Sequence, residues 1–152
     1  MEKIEELRYL IKAVDKEGEE QHTKMLAPFG VTPSQNEVLK ILDQQDGLAT
    51  TQIGELLICG SDNPSRVLDR LIQKELIKKE KDTIDSRKNN IYLTVKGRAV
   101  LKETKKIEVE FNEVIKEKLG NQMKIDEFIT ILNRQIEGTK TLAQIQKKKL
   151  IE

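Results

Sequence analysis

The chain has 152 residues with 27 Lys and Arg against 26 Asp and Glu, so its global charge of +1 points to no class of partner. Charged residues reach 35% and aromatics only 3%, a balance that suits long solvated helices more than extended sheet. Cys59 is the only cysteine and His22 the only histidine, which excludes an internal disulfide, a cysteine metal cluster and a histidine-rich metal site. No apolar run approaches the roughly 18 residues of a membrane span, and the start lacks a signal-peptide layout. The expectation is a cytoplasmic protein with no membrane partner and no cofactor.

Residues 2–26 read as one helix, because Ile4, Leu7, Ile11 and Val14 recur at spacings of three and four, with Met25 and Leu26 near its end. Ala27-Pro28-Phe29-Gly30 breaks that pattern. Thr32-Pro33-Ser34-Gln35 then forms a capping box with proline at the first helical position, opening a second helix that buries Val38, Leu39, Ile41 and Leu42 and stops at Asp46-Gly47. Thr50 or Thr51 is suited to cap a short third helix carrying Ile53, Leu56 and Leu57. Cys59-Gly60-Ser61 turns the chain into a fourth helix from Asp62 to Lys74. Two helices joined by a tight glycine turn make a helix-turn-helix.

Beyond Leu76 the period changes to two. Leu76 to Glu80 and Asn90 to Thr94 read as strands flanking the polar stretch Lys81 to Asn89, a hairpin with a long charged tip. Thr94 caps a helix of roughly 95–118, and a last helix starts near Met123 with Phe128, Ile129, Leu132, Ile136, Leu142 and Ile145 along one stripe. Gly138 inside it marks a bend or an earlier end. The fold class is mainly α with a small β-hairpin wing: an N-terminal helix region (1–30), a winged helix-turn-helix (31–97) and C-terminal helices (98–152). The terminal helices either close back as a bundle or interleave with a second copy in a two-fold dimer, and the need for two half-sites favours the homodimer.

Charge becomes informative once it is divided. Residues 61–98 hold ten basic and six acidic side chains, a local surplus in an otherwise slightly acidic chain and the electrostatic footprint of a phosphate-binding surface. At 100° per residue, Val67, Leu68, Leu71 and Ile72 share one side of the fourth helix, while Asn63, Arg66, Arg70 and Gln73 fall opposite, with Ser65 on the flank. Arginine offers a bidentate fork to guanine or phosphate, and Asn and Gln pair with adenine. Asp62 is spaced to pair with Arg66. In the hairpin tip, Arg87 and Lys88 are placed to reach a minor groove or phosphates, with Asp85 beside Arg87 to fix it. No glycine-rich phosphate loop, Cys/His pair or metal-ligand set supports an enzyme.

Three segments carry a resemblance: Ile53-Gly54-Glu55-Leu56-Leu57, Ser65 to Leu71 followed by Leu76-Ile77, and Asp85-Ser86-Arg87 followed by Leu93-Thr94 and Gly97. In these the chain resembles the multiple antibiotic resistance regulator (MarR) family, with the specific motifs over residues 50–97. Ser86 stands where the family often has arginine, and Gly54 where it often has alanine. The resemblance implies a homodimer built from the first and last two helices, the fourth helix in the major groove of double-stranded operator DNA and the wing in the minor groove. It also implies a repressor released by a small phenolic or lipophilic effector, in a pocket that Tyr9, His22, Met25 and Phe29 are placed to line. Two alternatives stand beside that reading. One is a redox-sensing repressor acting through Cys59, just before the fourth helix; the other is a winged-helix protein-interaction module without effector.

Overall fold

The computed structural model describes residues 1–58 and 63–151, so Cys59 and the expected Asp62–Arg66 pair lie outside the described residues. Helix α1 spans Lys3–Leu26 and passes into one 3-10 turn, Ala27–Phe29. Helix α2, Pro33–Gln44, begins at the expected capping box: Gln35 N donates to Thr32 Oγ1, and Thr32 N donates to Gln35 Oε1, each at 3.3 Å. The short helix α3, Thr50–Leu56, starts one residue earlier than its threonines suggest. Ala49 is the N-cap, and Gln52 Oε1 reaches back to accept from its amide at 2.8 Å.

Helix α4, Pro64–Gln73, buries Val67, Leu68 and Leu71 against α2 and α3, the side that the angular positions pick out. With Leu26, Val38, Leu39, Ile41, Leu42, Ile53, Ile77, Ile91 and Leu101 they form one continuous core. Burying a leucine side chain stabilises by roughly 1.5–3 kcal/mol, so this cluster sets the tilt of α4 on the domain.

The wing is part of a three-stranded antiparallel sheet rather than a hairpin alone. A two-residue strand β1, Leu48–Ala49, pairs with β3, Asn89–Leu93, which pairs with β2, Ile77–Lys81, from Ile77↔Leu93 to Lys81↔Asn89. A segment as short as β1 has no periodicity to read, which is why it escapes the sequence pattern. It ties the wing to the start of α3 through Gly47 N, which donates to Ile91 O at 2.9 Å.

Helix α5, Val95–Leu119, is capped by Thr94, whose Oγ1 accepts from Gly97 N at 2.9 Å and donates to Glu75 O at 2.7 Å. The expected final helix is two helices: α6, Gln122–Gln135, and α7, Lys140–Ile151. They are separated at Gly138, whose φ of 76° glycine alone adopts at little cost. No helix of the described residues is long and apolar enough to cross a membrane.

Gly97 is where sheet and long helix meet. The first turn of α5 lies so close to the Leu76 carbonyl that a methyl group at residue 97 would collide with its oxygen. Gly97 is buried within that contact. Gly97→Ala should therefore lower stability by about 1–3 kcal/mol, as overpacking does, read as a lower urea midpoint at unchanged m-value. Wild-type stability in the variant would show that α5 moves away from Leu76 freely.

Candidate nucleic-acid interface

Helix α4 turns its outer face to solvent. Ser65, Arg66, Asp69, Arg70 and Gln73 are exposed, with Asn63 at the helix entrance. Asn63 is the N-cap: its Oδ1 accepts from Ser65 N at 2.9 Å. Asn63, Arg66 and Arg70 come together along a cleft of about 200 Å³ between α4 and the end of α1, whose other wall includes Glu19, Thr23 and Gln35. Ser65 and Gln73 lie on the same outer face but do not line this cleft.

The structure sorts the basic side chains into held and available ones. Lys74 bends inward and donates to Gly30 O and Gln35 Oε1, each at 2.7 Å. Burial, and then the neighbouring Arg70 charge, pull its pKa below the ordinary lysine value. Lys78 is paired with Glu80 at 2.7 Å, and Arg98 with Asp46 at 2.6 Å. Lys96 donates to Lys74 O at 3.0 Å. Arg66 and Arg70 are exposed, line the cleft beside α1 and make no ion pair with another described residue.

The wing tip is locally cross-linked. Asp82 Oδ1 accepts from Ile84 N at 2.8 Å and from Asp85 N at 3.0 Å, while Asp82 Oδ2 accepts from Asn90 Nδ2 at 2.9 Å. These bonds, the Asp85 amide first, hold the Asp82 carboxyl below its usual pKa. Asp85 accepts from Arg87 Nε at 3.1 Å and from Nη2 at 3.3 Å, as its position two residues before Arg87 suggests, and its pKa is lowered by that side chain. Arg87 is 89% exposed despite the pair, so it remains a presented cation on a fixed loop. Lys88 is exposed beside it.

The four residues expected around an effector are not one cluster in the chain. Tyr9 is 56% exposed and lies about 20 Å along α1 from His22 at 1.5 Å per residue. Met25 and Phe29 are half-buried, with Phe29 packed against the core. The His22 ring stacks on Phe111 at 4.4 Å between centroids, and its Nε2 lies 2.7 Å from Glu108 Oε1. Glu108 also accepts from Asn36 Nδ2 at 2.9 Å and from Lys40 Nζ at 3.3 Å, so one carboxylate on α5 ties down α1 and α2. Sequence reasoning missed Glu108, Asn36 and Lys40, because each reads locally as an ordinary polar helix residue.

Residues 31–88 match the sequence model of the MarR family. Among solved structures, the chain is similar to a mutant MarR from E. coli complexed with operator DNA, at 19% identity over 88% of this chain and 95% of that one, with a TM-score of 0.77. It is similar to an S. aureus MepR–DNA complex at 25% identity over 87% and 97%, TM-score 0.78. It is also similar to the transcriptional repressor CouR bound to a 23-mer DNA duplex, at 29% identity over 84% and 90%, TM-score 0.74. No curated protein sequence matches the chain.

Burial pushes the Glu108 carboxyl up, but hydrogen bonding from His22 and the charge of Lys40 win and hold its pKa at about 2, below the ordinary 4.5. A depressed carboxylate stabilises the fold above its unfolded pKa, and that contribution is lost as pH falls through the folded value. Stability of the wild type should therefore drop between about pH 4.5 and pH 2 by roughly 2 kcal/mol more than in Glu108→Gln. Chemical denaturation at a series of pH values reads this, and superimposable acid limbs would show that the carboxylate contributes nothing.

Proposed function

We propose that the chain, whose residues 31–88 match the MarR family model, is a MarR-type sequence-specific DNA-binding transcriptional regulator, a repressor that a small ligand releases from its operator. The observation that carries the reading is the pairing of an exposed Arg66–Arg70 face on α4 with a cross-linked wing that presents Arg87. Arg66 and Arg70, flanked by Asn63, Ser65 and Gln73, enter the major groove, and Arg87 and Lys88 follow the minor groove or its phosphates. That the similar MepR and CouR structures hold DNA supports the DNA-binding reading.

The repressor works as a homodimer in this reading. In the single chain Ile4, Leu7, Leu10 and Val14 of α1, Ile115 and Leu119 of α5 and Phe128, Ile129 and Ile131 of α6 are all exposed. An apolar surface of that extent seeks a partner. Regions 1–30 and 98–152 supply the dimer contacts, and 31–97 the DNA contacts. Two recognition helices then address half-sites about one helical turn apart, roughly 34 Å. The phenolic or lipophilic effector is placed where His22, Met25 and Phe29 adjoin α5, with Tyr9 completing the site only if the partner protomer brings it there.

Fluorescence anisotropy with a duplex from upstream of the protein's own coding region tests the reading, alongside sedimentation for the dimer. Arg66→Ala and Arg70→Ala should each weaken specific binding by about 1–3 kcal/mol while scrambled duplex is bound as before. Equal losses on both duplexes would demote these arginines to phosphate contacts. A protein indifferent to sequence at every salt concentration would overturn the regulator reading.

A further inference from the structure

Helix α7 carries none of the side chains assigned to DNA, yet it is cross-linked to the helix-turn-helix. Lys148 donates to Glu37 Oε1 on α2, Lys147 pairs with Glu55 on α3 at 2.9 Å, and Gln144 Nε2 donates to Gly54 O at 3.4 Å. Ile151, at the end of α7, packs on the core beside Ile41 and Lys105. The Lys147–Glu55 pair is open to solvent on both sides, at 56% and 60% exposure, and such pairs are worth little. The Lys148–Glu37 pair is different: its side chains are only 20% and 15% exposed, so water and salt screen it far less.

Glu37 has a second duty. The oxygen that takes the Lys148 ammonium also accepts from Ile58 N at 2.9 Å, the amide two residues past the last helical residue of α3. That amide stands at the exit of α3, on the path into α4. One carboxylate thus holds the outgoing backbone of the first helix in the motif and, through Lys148, the last helix of the chain. The cation neutralises Glu37 in a half-enclosed place and keeps its side chain on the Ile58 amide.

We infer that α7 is a strap that holds the exit of α3, and with it the recognition helix α4, in its DNA-reading pose, with Glu37 and Lys148 as the positioning residues. The inference rests on the operator-binding reading above for its consequence, but the strap itself is a property of the free protein.

The test uses full-length protein and three variants: Lys148→Glu, the conservative Lys148→Arg and the solvent-side control Lys147→Glu. Hydrogen exchange without DNA should show the Ile58 amide opening roughly tenfold faster in Lys148→Glu, with the amides of β3 unchanged, since local opening is separable from global unfolding. Lys148→Arg and Lys147→Glu should match the wild type. Anisotropy on operator duplex should show about a threefold to tenfold weaker complex for Lys148→Glu alone. Its dependence on salt should keep the wild-type slope, because Lys148 faces Glu37 rather than phosphate. An Ile58 amide that exchanges at the wild-type rate in Lys148→Glu overturns the strap. A loosened Ile58 with undiminished operator affinity overturns its role in positioning α4. Failure of the wild type to prefer operator is a failure of the functional reading instead, seen before any variant is compared.

Discussion

The relation between the long helices and the DNA-facing half depends on where one carboxylate is kept. Glu108 sits on α5 with only part of its side chain in contact with water, and such a group is costly unless its oxygens are met by donors. His22 of α1, Asn36 of α2 and Lys40 of α2 meet them. Because the three donors come from two helices, satisfying the charge fixes the mutual orientation of α1, α2 and α5 more narrowly than apolar packing alone. The stacking of His22 on Phe111 adds a second, directional constraint on the same contact. Asn36 is itself fully buried, so moving α2 would strand its amide as well as the Glu108 oxygen.

Upon that frame the protein separates cations that build from cations that are offered. Lys74, Lys96 and Arg98 all belong to the basic segment, and each is spent on an internal carbonyl, amide oxygen or carboxylate. Arg66 and Arg70 are left on the outer face of α4. In the wing, Asp82 and Asp85 freeze the loop before any partner arrives, so a contact made there has less loop disorder to overcome.

Much of this was legible in the residue order, and the parts that were not share a cause. Thr32, Thr94 and the apolar side of α4 act within one helical turn, and their roles follow from spacing. The Asp85–Arg87 pair is equally local. Glu108 is invisible by the same test: it sits among Glu103, Glu110 and Glu113 on one helix, and only the arrival of α1 and α2 distinguishes it. Lys74 reads as a surface cation until the backbone carbonyl of Gly30, 44 residues away, is brought to it. Gly138 announced a break, but not that the following helix would return to α2 and α3. Local chemistry writes the elements; contacts between distant segments decide which polar side chains face inward.

The close approach of Gly97 to Leu76 has a mechanical meaning. With no clearance between the first turn of α5 and the strand that begins at Ile77, helix and sheet have no play at their joint. Helix α5 is 25 residues long, about 37 Å at the usual rise. A displacement applied at its distant end would therefore turn the joint that carries the wing and its Arg87. Such a linkage would transmit angle rather than contact, across a distance that no side chain spans.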